Sequence, residues 1–335
     1  MSRKTLERVV FATLGALGAF IAVAYHDLYQ QHQQKKQGSA IKPITTPQPP
    51  PVTPSPTIPL AQKIRAAKES ILPFGFAGPI NDTLYRTAYI SSYNRQLRNP
   101  NWVAEHITNE SLTQGDGVER TKSTFREDFN IPEKFRATLK DYFRSGYDRG
   151  HLVPAADVKF SQEAMDETFF LTNISPQVGD GFNRDYWSHL EEFCRRLVRN
   201  EGFKDVYVFS GPLYLPKQED DGKWYVKYEV IGQGHNVAVP NHFFKVILAT
   251  KDNQKYALGA FILPNRPIPN HVPLQRHEVP LDVIERAAGL TFFELLDKEA
   301  IAPLCTVSKC VLVAHPKYLK QKNLKALPQP GTEDS

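Results

Sequence analysis

Between Val206 and Leu263 the chain reads as four short runs of aromatic and β-branched residues: Val206–Ser210, Trp224–Ile231, His242–Ala249 and Tyr256–Leu263, each bounded by Gly, Pro or Asp. Such runs form strands because branched and aromatic side chains fit a pleated, half-buried surface. The last three follow one another with short breaks and no helical pattern between them, whereas parallel neighbours need a long crossover. The expectation is a central antiparallel sheet rather than a doubly wound parallel one. Helical periodicity flanks it, from about Arg184 to Arg199 and again from Pro280 in PLDVIERAAG, where Gly289 is a natural C-terminal stop. The fold class is α+β, without repeats.

The first sixty residues belong to something else. Val9 to Tyr25 is an uncharged apolar stretch, preceded by Arg3, Lys4 and Arg8, at the short end of the roughly 17–25 residues that span a bilayer as a helix. Residues 1–29 read as a basic and apolar targeting or membrane-anchor segment. Residues 30–61 are polar and then proline-rich, with Pro49, Pro50 and Pro51 in a row. Missing amide donors and fixed φ angles make such a stretch an extended linker. The globular domain is expected over 62–320, followed by a polar tail over 321–335. The formal net charge of +5 does not by itself signal a nucleic-acid partner. Residues 1–61 carry six Lys and Arg against Glu7 and Asp27, leaving about +1 for the remainder, so a basic groove would have to be local.

The three cysteines, Cys194, Cys305 and Cys310, lack paired CxxC spacing, and an odd count in a large domain does not suggest a disulfide framework or a structural zinc site. Cys194 reads as a small buried apolar residue.

The chemistry concentrates in two strings. One is Asp148-Arg149-Gly150-His151. The other runs from Asn173-Ile174-Ser175-Pro176-Gln177 to the stretch Gly181–Arg195, in which Asn183, Trp187, Glu191 and Arg195 recur every four residues. Taken alone, His151 is no more than a hydrogen-bonding imidazole, and Glu191 with Arg195 is an ordinary i,i+4 pair. On a helix, however, the second string presents an amide, a carboxylate and a guanidinium along one face. Amide and carboxylate oxygens suit a hard cation, and a guanidinium suits phosphate. Asn183 and Glu191 would stand about 12 Å apart along the axis, so only one of them is expected to ligate an ion directly. His189, His235 and His242 fall on different elements without ligand spacing and read as structural.

The order DRGH, NISPQ and Asn-x3-Trp-x3-Glu-x3-Arg resembles the ββα-metal DNA/RNA non-specific nucleases, and within them the endonuclease G branch with its fungal mitochondrial members. Further matching segments include Tyr93-Asn94-Arg95-Gln96, Phe125-Arg126-Glu127-Asp128, Ser210-Gly211-Pro212-Leu213 and Val239-Pro240-Asn241-His242-Phe243-Phe244-Lys245. The resemblance implies a ββα-metal fold and hydrolysis of phosphodiester bonds in DNA and RNA. It implies His151 as general base, and Asn183 as the protein ligand of a single Mg2+ or Mn2+ ion. Glu191 would order metal-bound water, and Arg195 would steady the transition-state charge. Arg149 and Asp148 would shape the motif, and Asn173 would orient the base or its loop. Arg120 would contact phosphate, with Arg126 as its competitor. A homodimer is implied as well. The alternative is a membrane-tethered module that binds nucleic acid or a protein on a nuclease scaffold.

The same resemblance implies mitochondria, with the inner membrane held through residues 9–25 and the nuclease domain in the intermembrane space. The rival is a secretory lumen. Sequons occur at Asn81, Asn109 and Asn173, and a glycan on Asn173 would crowd the proposed site.

Overall fold

The computed structural model describes residues 81–252, 255–297 and 300–313. The expected anchor segment, linker and polar tail lie outside them, as does the membrane contact through residues 9–25. Among the described residues no helix is long and apolar enough to cross a membrane.

A seven-stranded sheet runs in the order β1 (Asn81–Tyr85), β2 (Tyr89–Asn94), β3 (Asn99–Ile107), β6 (Asp205–Leu213), β11 (His242–Thr250), β12 (Tyr256–Pro264) and β13 (Ala302–Pro303). Every pairing is antiparallel except that of β12 with the two-residue β13. The expected antiparallel core is there, and three of the four expected strands form it. The fourth does not. Within Trp224–Ile231 only Trp224–Tyr225 (β8) and Val230–Ile231 (β9) are extended, paired with Lys217–Gln218 (β7) and Val237–Ala238 (β10) in two small ribbons. The reason is that β6 and β11 pair directly over nine residues, so residues 214–241 become an excursion whose aromatic side chains have no sheet face to cover. Trp224 is 65% exposed.

One helix dominates. α1 (Ser188–Glu201) turns Leu190, Phe193, Cys194 and Leu197 inward and ends at Gly202, whose left-handed φ of 76° lets its N–H reach the Leu197 carbonyl. These side chains join Phe182, Trp187, Val103, Val208, Phe243 and Phe261 in the main core, each contributing about 1.5–3 kcal/mol on burial. α2 (Leu281–Ala288) ends at Gly289 as expected. Cys194 is free and buried. Cys305 and Cys310, however, form a disulfide, contrary to the expectation from their number. A five-residue separation allows a local staple beside the buried one-turn helix end at Leu304, which a count of cysteines cannot reveal.

Candidate active site

β4 (Asp148–His151) and β5 (Ile174–Gln177) form an antiparallel ribbon of their own, with His151 opposite Ile174 and Asp148 opposite Gln177. Gly150 is required there by close packing, since a Cβ would fall 2.1 Å from the Gln177 amide oxygen. The ribbon is tied to the sheet where Ser175 Oγ donates to Asn99 Oδ1 at 2.7 Å. Beyond β5 the chain passes through non-helical Asp180 and Gly181, then winds in wide π-type turns up to Trp187 before α1 proper begins. Residues just beyond β12 hold this passage. The Val178 N–H donates to Asn265 Oδ1, Asn265 Nδ2 donates to the Pro176 carbonyl, and the Ile268 N–H donates to the Gly181 carbonyl. Gly181, at φ +81°, packs so closely on Pro267 that a Cβ would stand 2.6 Å away. The helix therefore starts later than its sequence period suggested, at Ser188, and Asn183 sits on a widened turn.

Ribbon and helix enclose a cavity of about 760 Å³. Along it lie Arg120, Asp148, Arg149, His151, Asn183, Glu191 and Arg195, so nearly all of the expected site residues line one cavity. Six cationic side chains, including Arg184, Lys159 and Arg199, face three carboxylates. The local basic groove thus exists although the body of the chain is almost neutral.

His151 lies between two rings, 5.2 Å from Phe125 and edge-on to Phe169 at 4.8 Å between centroids. Its Nε2 is enclosed without a hydrogen-bond partner among the described residues. Burial, then Arg120 and Arg149, push its pKa down to about 3, so the imidazole is neutral at physiological pH. Arg149 lies over Phe125 at 4.4 Å and Arg120 over Phe169 at 5.4 Å. Arg126 stacks instead on Phe170 at 4.2 Å and is not among the cavity's lining residues, which favours Arg120 of the two competitors.

Asn183 Nδ2 donates to Asp148 Oδ2 at 2.9 Å. That bond orients the carboxamide and leaves its oxygen as the atom for a further partner. Asp148 is held in turn by Arg184, through Nε at 2.8 Å and Nη2 at 2.6 Å. Arg184 is a site residue that sequence spacing missed, because its role depends on a ribbon residue 36 positions away. Burial raises the Glu191 carboxyl to about 7, against the opposing pull of Lys245 and Arg195. Arg195 does not form the simple i,i+4 pair with Glu191. Its Nη1 donates to buried Asp157 and its Nε to Glu192 at 2.7 Å. Burial opposes its charge, but Asp157, Glu191 and Glu192 hold its pKa up.

Asn173 is fully buried. Its Oδ1 accepts from the Val153 N–H at 3.0 Å, and its Nδ2 donates to the Val153 and Thr168 carbonyls at 2.9 and 2.8 Å. It fixes the loop that follows His151, and its amide has no room for a glycan. His189 is buried on the inner face of α1, while His242 meets Asn241 Oδ1 at 2.9 Å. Among the described residues no three His, Cys, Asp or Glu side chains converge as a metal cage. The donors at the cavity are hard oxygens, from Asn183, Asp148, Glu191 and Glu192; Asp148 and Glu192 are engaged by Arg184 and Arg195, and the remaining pair suits a largely hydrated magnesium-type ion.

Residues 68–299 match the family profile described as DNA/RNA non-specific endonuclease. The chain belongs to that family. It is accordingly an enzyme, a non-specific endonuclease hydrolysing nucleic acid, and the reading as a non-catalytic scaffold gives way. It is 45% identical to the mitochondrial nuclease of Saccharomyces cerevisiae over 334 residues, covering 97% of this chain and 98% of that one. It is 53% identical to nuclease C1 of Cunninghamella echinulata over 244 residues, 73% of this chain and 95% of that one. Among solved structures it resembles the crystal structure of an EndoG/EndoGI complex, with 43% identity and a TM-score of 0.64 over 75% of this chain and 96% of that chain. That likeness places the ribbon-and-helix site in the ββα-metal nuclease fold.

Proposed function

We propose that the chain cuts DNA and RNA with His151 as general base and one Mg2+ or Mn2+ ion on Asn183. The observation that carries this reading is the convergence of His151 and Asn183, whose Nδ2 is turned to Asp148, on one cationic cavity. The nucleic-acid backbone enters along the six cations, and Arg120 and Arg149 bind phosphate oxygens beside the base. With Nε2 enclosed, His151 takes the proton of the attacking water through Nδ1 as the water oxygen bonds to phosphorus. Its basicity, depressed by burial and two arginines, rises once substrate phosphate neutralises those arginines. Asp148 and Arg184 hold the Asn183 carboxamide at the cavity, and Glu191 would order water around a bound ion. A bound divalent ion would supply charge stabilisation to the phosphoryl oxygens and the departing 3′ oxygen. Arg195, braced by Asp157 and Glu192, stabilises the added negative charge of the pentacovalent state. No base-reading module stands in the sequence, so the cut follows the backbone.

We further propose a mitochondrial location, because relatives in Saccharomyces cerevisiae and Schizosaccharomyces pombe are named as mitochondrial. In this reading residues 9–25 hold the inner membrane, with the nuclease domain in the intermembrane space, and the functional unit is a homodimer. The buried Asn173 sequon supports a compartment without N-glycosylation.

The test is cleavage of plasmid DNA and single-stranded RNA with magnesium, manganese or EDTA, comparing the parent with His151→Ala. Both substrates should be cut only with metal, and the substitution should cost more than about 100-fold. A variant as active as the parent would sink the mechanism.

A further inference from the structure

Behind the cavity the sheet carries a charged side chain that the chemistry above does not use. Lys245, in the middle of β11, is 1% exposed. Its Nζ donates to Oγ of its cross-strand partner Ser210 at 2.6 Å and lies 4.6 Å from the centre of the Trp187 ring. Trp187 is fully buried. Its Nε1–H donates to the His151 carbonyl at 3.3 Å, and Glu191 stands four residues further along the chain, in the first turn of α1. One ring therefore ties the strand end that presents the base to the start of the helix that presents Glu191. Neither Lys245 nor Trp187 lines the cavity.

Burying an ammonium costs far more than filling the same space with methionine or leucine. In this site a cation on the ring face does something that a methylene chain cannot. It attracts the quadrupole and fixes the plane of the indole, and by withdrawing density from the ring it strengthens N–H donation at the far edge. It also pulls against the burial that raises the acid groups of Glu105 and Glu191.

We propose that Lys245 is a positioning residue for the nuclease reaction, acting through the Trp187 indole on His151 and Glu191. The inference rests on the functional reading above, yet it has a readout independent of turnover.

The experiment uses the full chain and compares the parent with Lys245→Met, Lys245→Arg, Trp187→Phe and the Lys245→Met/Trp187→Phe double variant. Cleavage of a labelled oligonucleotide gives kcat and KM, and ¹⁵N spectra of the three indole N–H groups report directly on Trp187, whose resonance is the one missing from Trp187→Phe. Lys245→Met should lower kcat about 10- to 100-fold, the scale of a small misplacement of reacting groups, with KM within about twofold, and Lys245→Arg should recover part of it. The double variant should be no slower than the worse single one, because both act along one route. The Trp187 resonance should move upfield in Lys245→Met while those of Trp102 and Trp224 stay in place. Where Lys245→Met fails to fold, Lys245→Met/Glu105→Gln replaces the buried acid that Lys245 faces as well, and it should fold and remain slow. Unchanged kcat, multiplicative losses in the double variant or an unmoved Trp187 resonance each overturn the proposal. A parent that cuts nothing under any divalent metal refutes the nuclease reading instead, and the spectra still decide whether Lys245 acts on the indole.

Discussion

Asn173→Ala tests how the proposed base, His151, is held. The Asn173 side chain is fully buried and makes three hydrogen bonds, all to main-chain groups of Val153 and Thr168. Alanine leaves the Val153 N–H and two carbonyls without those partners. At about 1–1.5 kcal/mol per bond the loss is about 3–5 kcal/mol, a large share of the roughly 5–15 kcal/mol that keeps a domain folded. Asn173→Asp separates the contributions. It keeps the acceptor for Val153 N–H but sets a carboxylate oxygen against two carbonyls, so at neutral pH it should be at least as damaging as alanine. Protonation restores one donor, and Asn173→Asp should recover part of its stability as pH falls toward the carboxyl range. Urea unfolding followed by tryptophan fluorescence gives both values from the midpoint and slope. Because Val153 lies two residues beyond His151, the protein that remains folded should also show a lowered kcat. An alanine variant within about 1 kcal/mol of the parent, or one with full kcat, would refute the clamp.

Three further outcomes are expected. Glu191, raised to about 7, holds a proton in the folded chain that the unfolded chain has released, so between its ordinary range and pH 7 it makes stability fall as pH rises. Glu191→Gln should remove that slope and stand about 1–2 kcal/mol above the parent at pH 8, allowing for solvent at the cavity, while losing activity; a parent whose stability is flat from pH 5 to 8 would contradict this. Cleavage should weaken with salt, and log kcat/KM against log salt should slope by about −0.7 to −0.9 for each phosphate engaged; a flat plot would remove the cationic cavity from substrate binding. Cys305→Ser should cost about 2 kcal/mol or less by loop-closure entropy, read as a lower thermal midpoint with kcat retained; loss of kcat in the folded variant would mean that the staple supports the site.

The parts legible in the chain were those with a short-range signature. β6, β11 and β12 announced themselves by β-branched runs, and α2 by its glycine stop. The β1 to β3 meander did not, because its buried positions include Ser91, Ser92, Asn99 and Glu105, whose polarity hides the alternation. In the site, spacing brought Asn183, Glu191 and Arg195 together on one face. It could not show that Arg195 answers to Asp157, that Arg184 steadies Asp148, or that Lys245 underlies Trp187, since each partner lies on another element. The Cys305–Cys310 staple escaped for the opposite reason, being too local for an argument from cysteine number.

The hold of Asn265, Pro267 and Ile268 on the passage from Pro176 to Gly181 also bears on when the enzyme becomes dangerous. A chain is made from its N-terminus, and segments fold as they emerge. His151, Asn183 and Asp148 appear well before Asn265, but the passage from Pro176 to Gly181 that leads into the Asn183 turn gains its bonds to residues 265–268 only when those residues have been made. A nascent or prematurely released chain ending ahead of Asn265 carries the reactive side chains without the clamp that sets them at the cavity. An endonuclease able to cut its own messenger thus completes its site only after about four-fifths of its sequence has been translated.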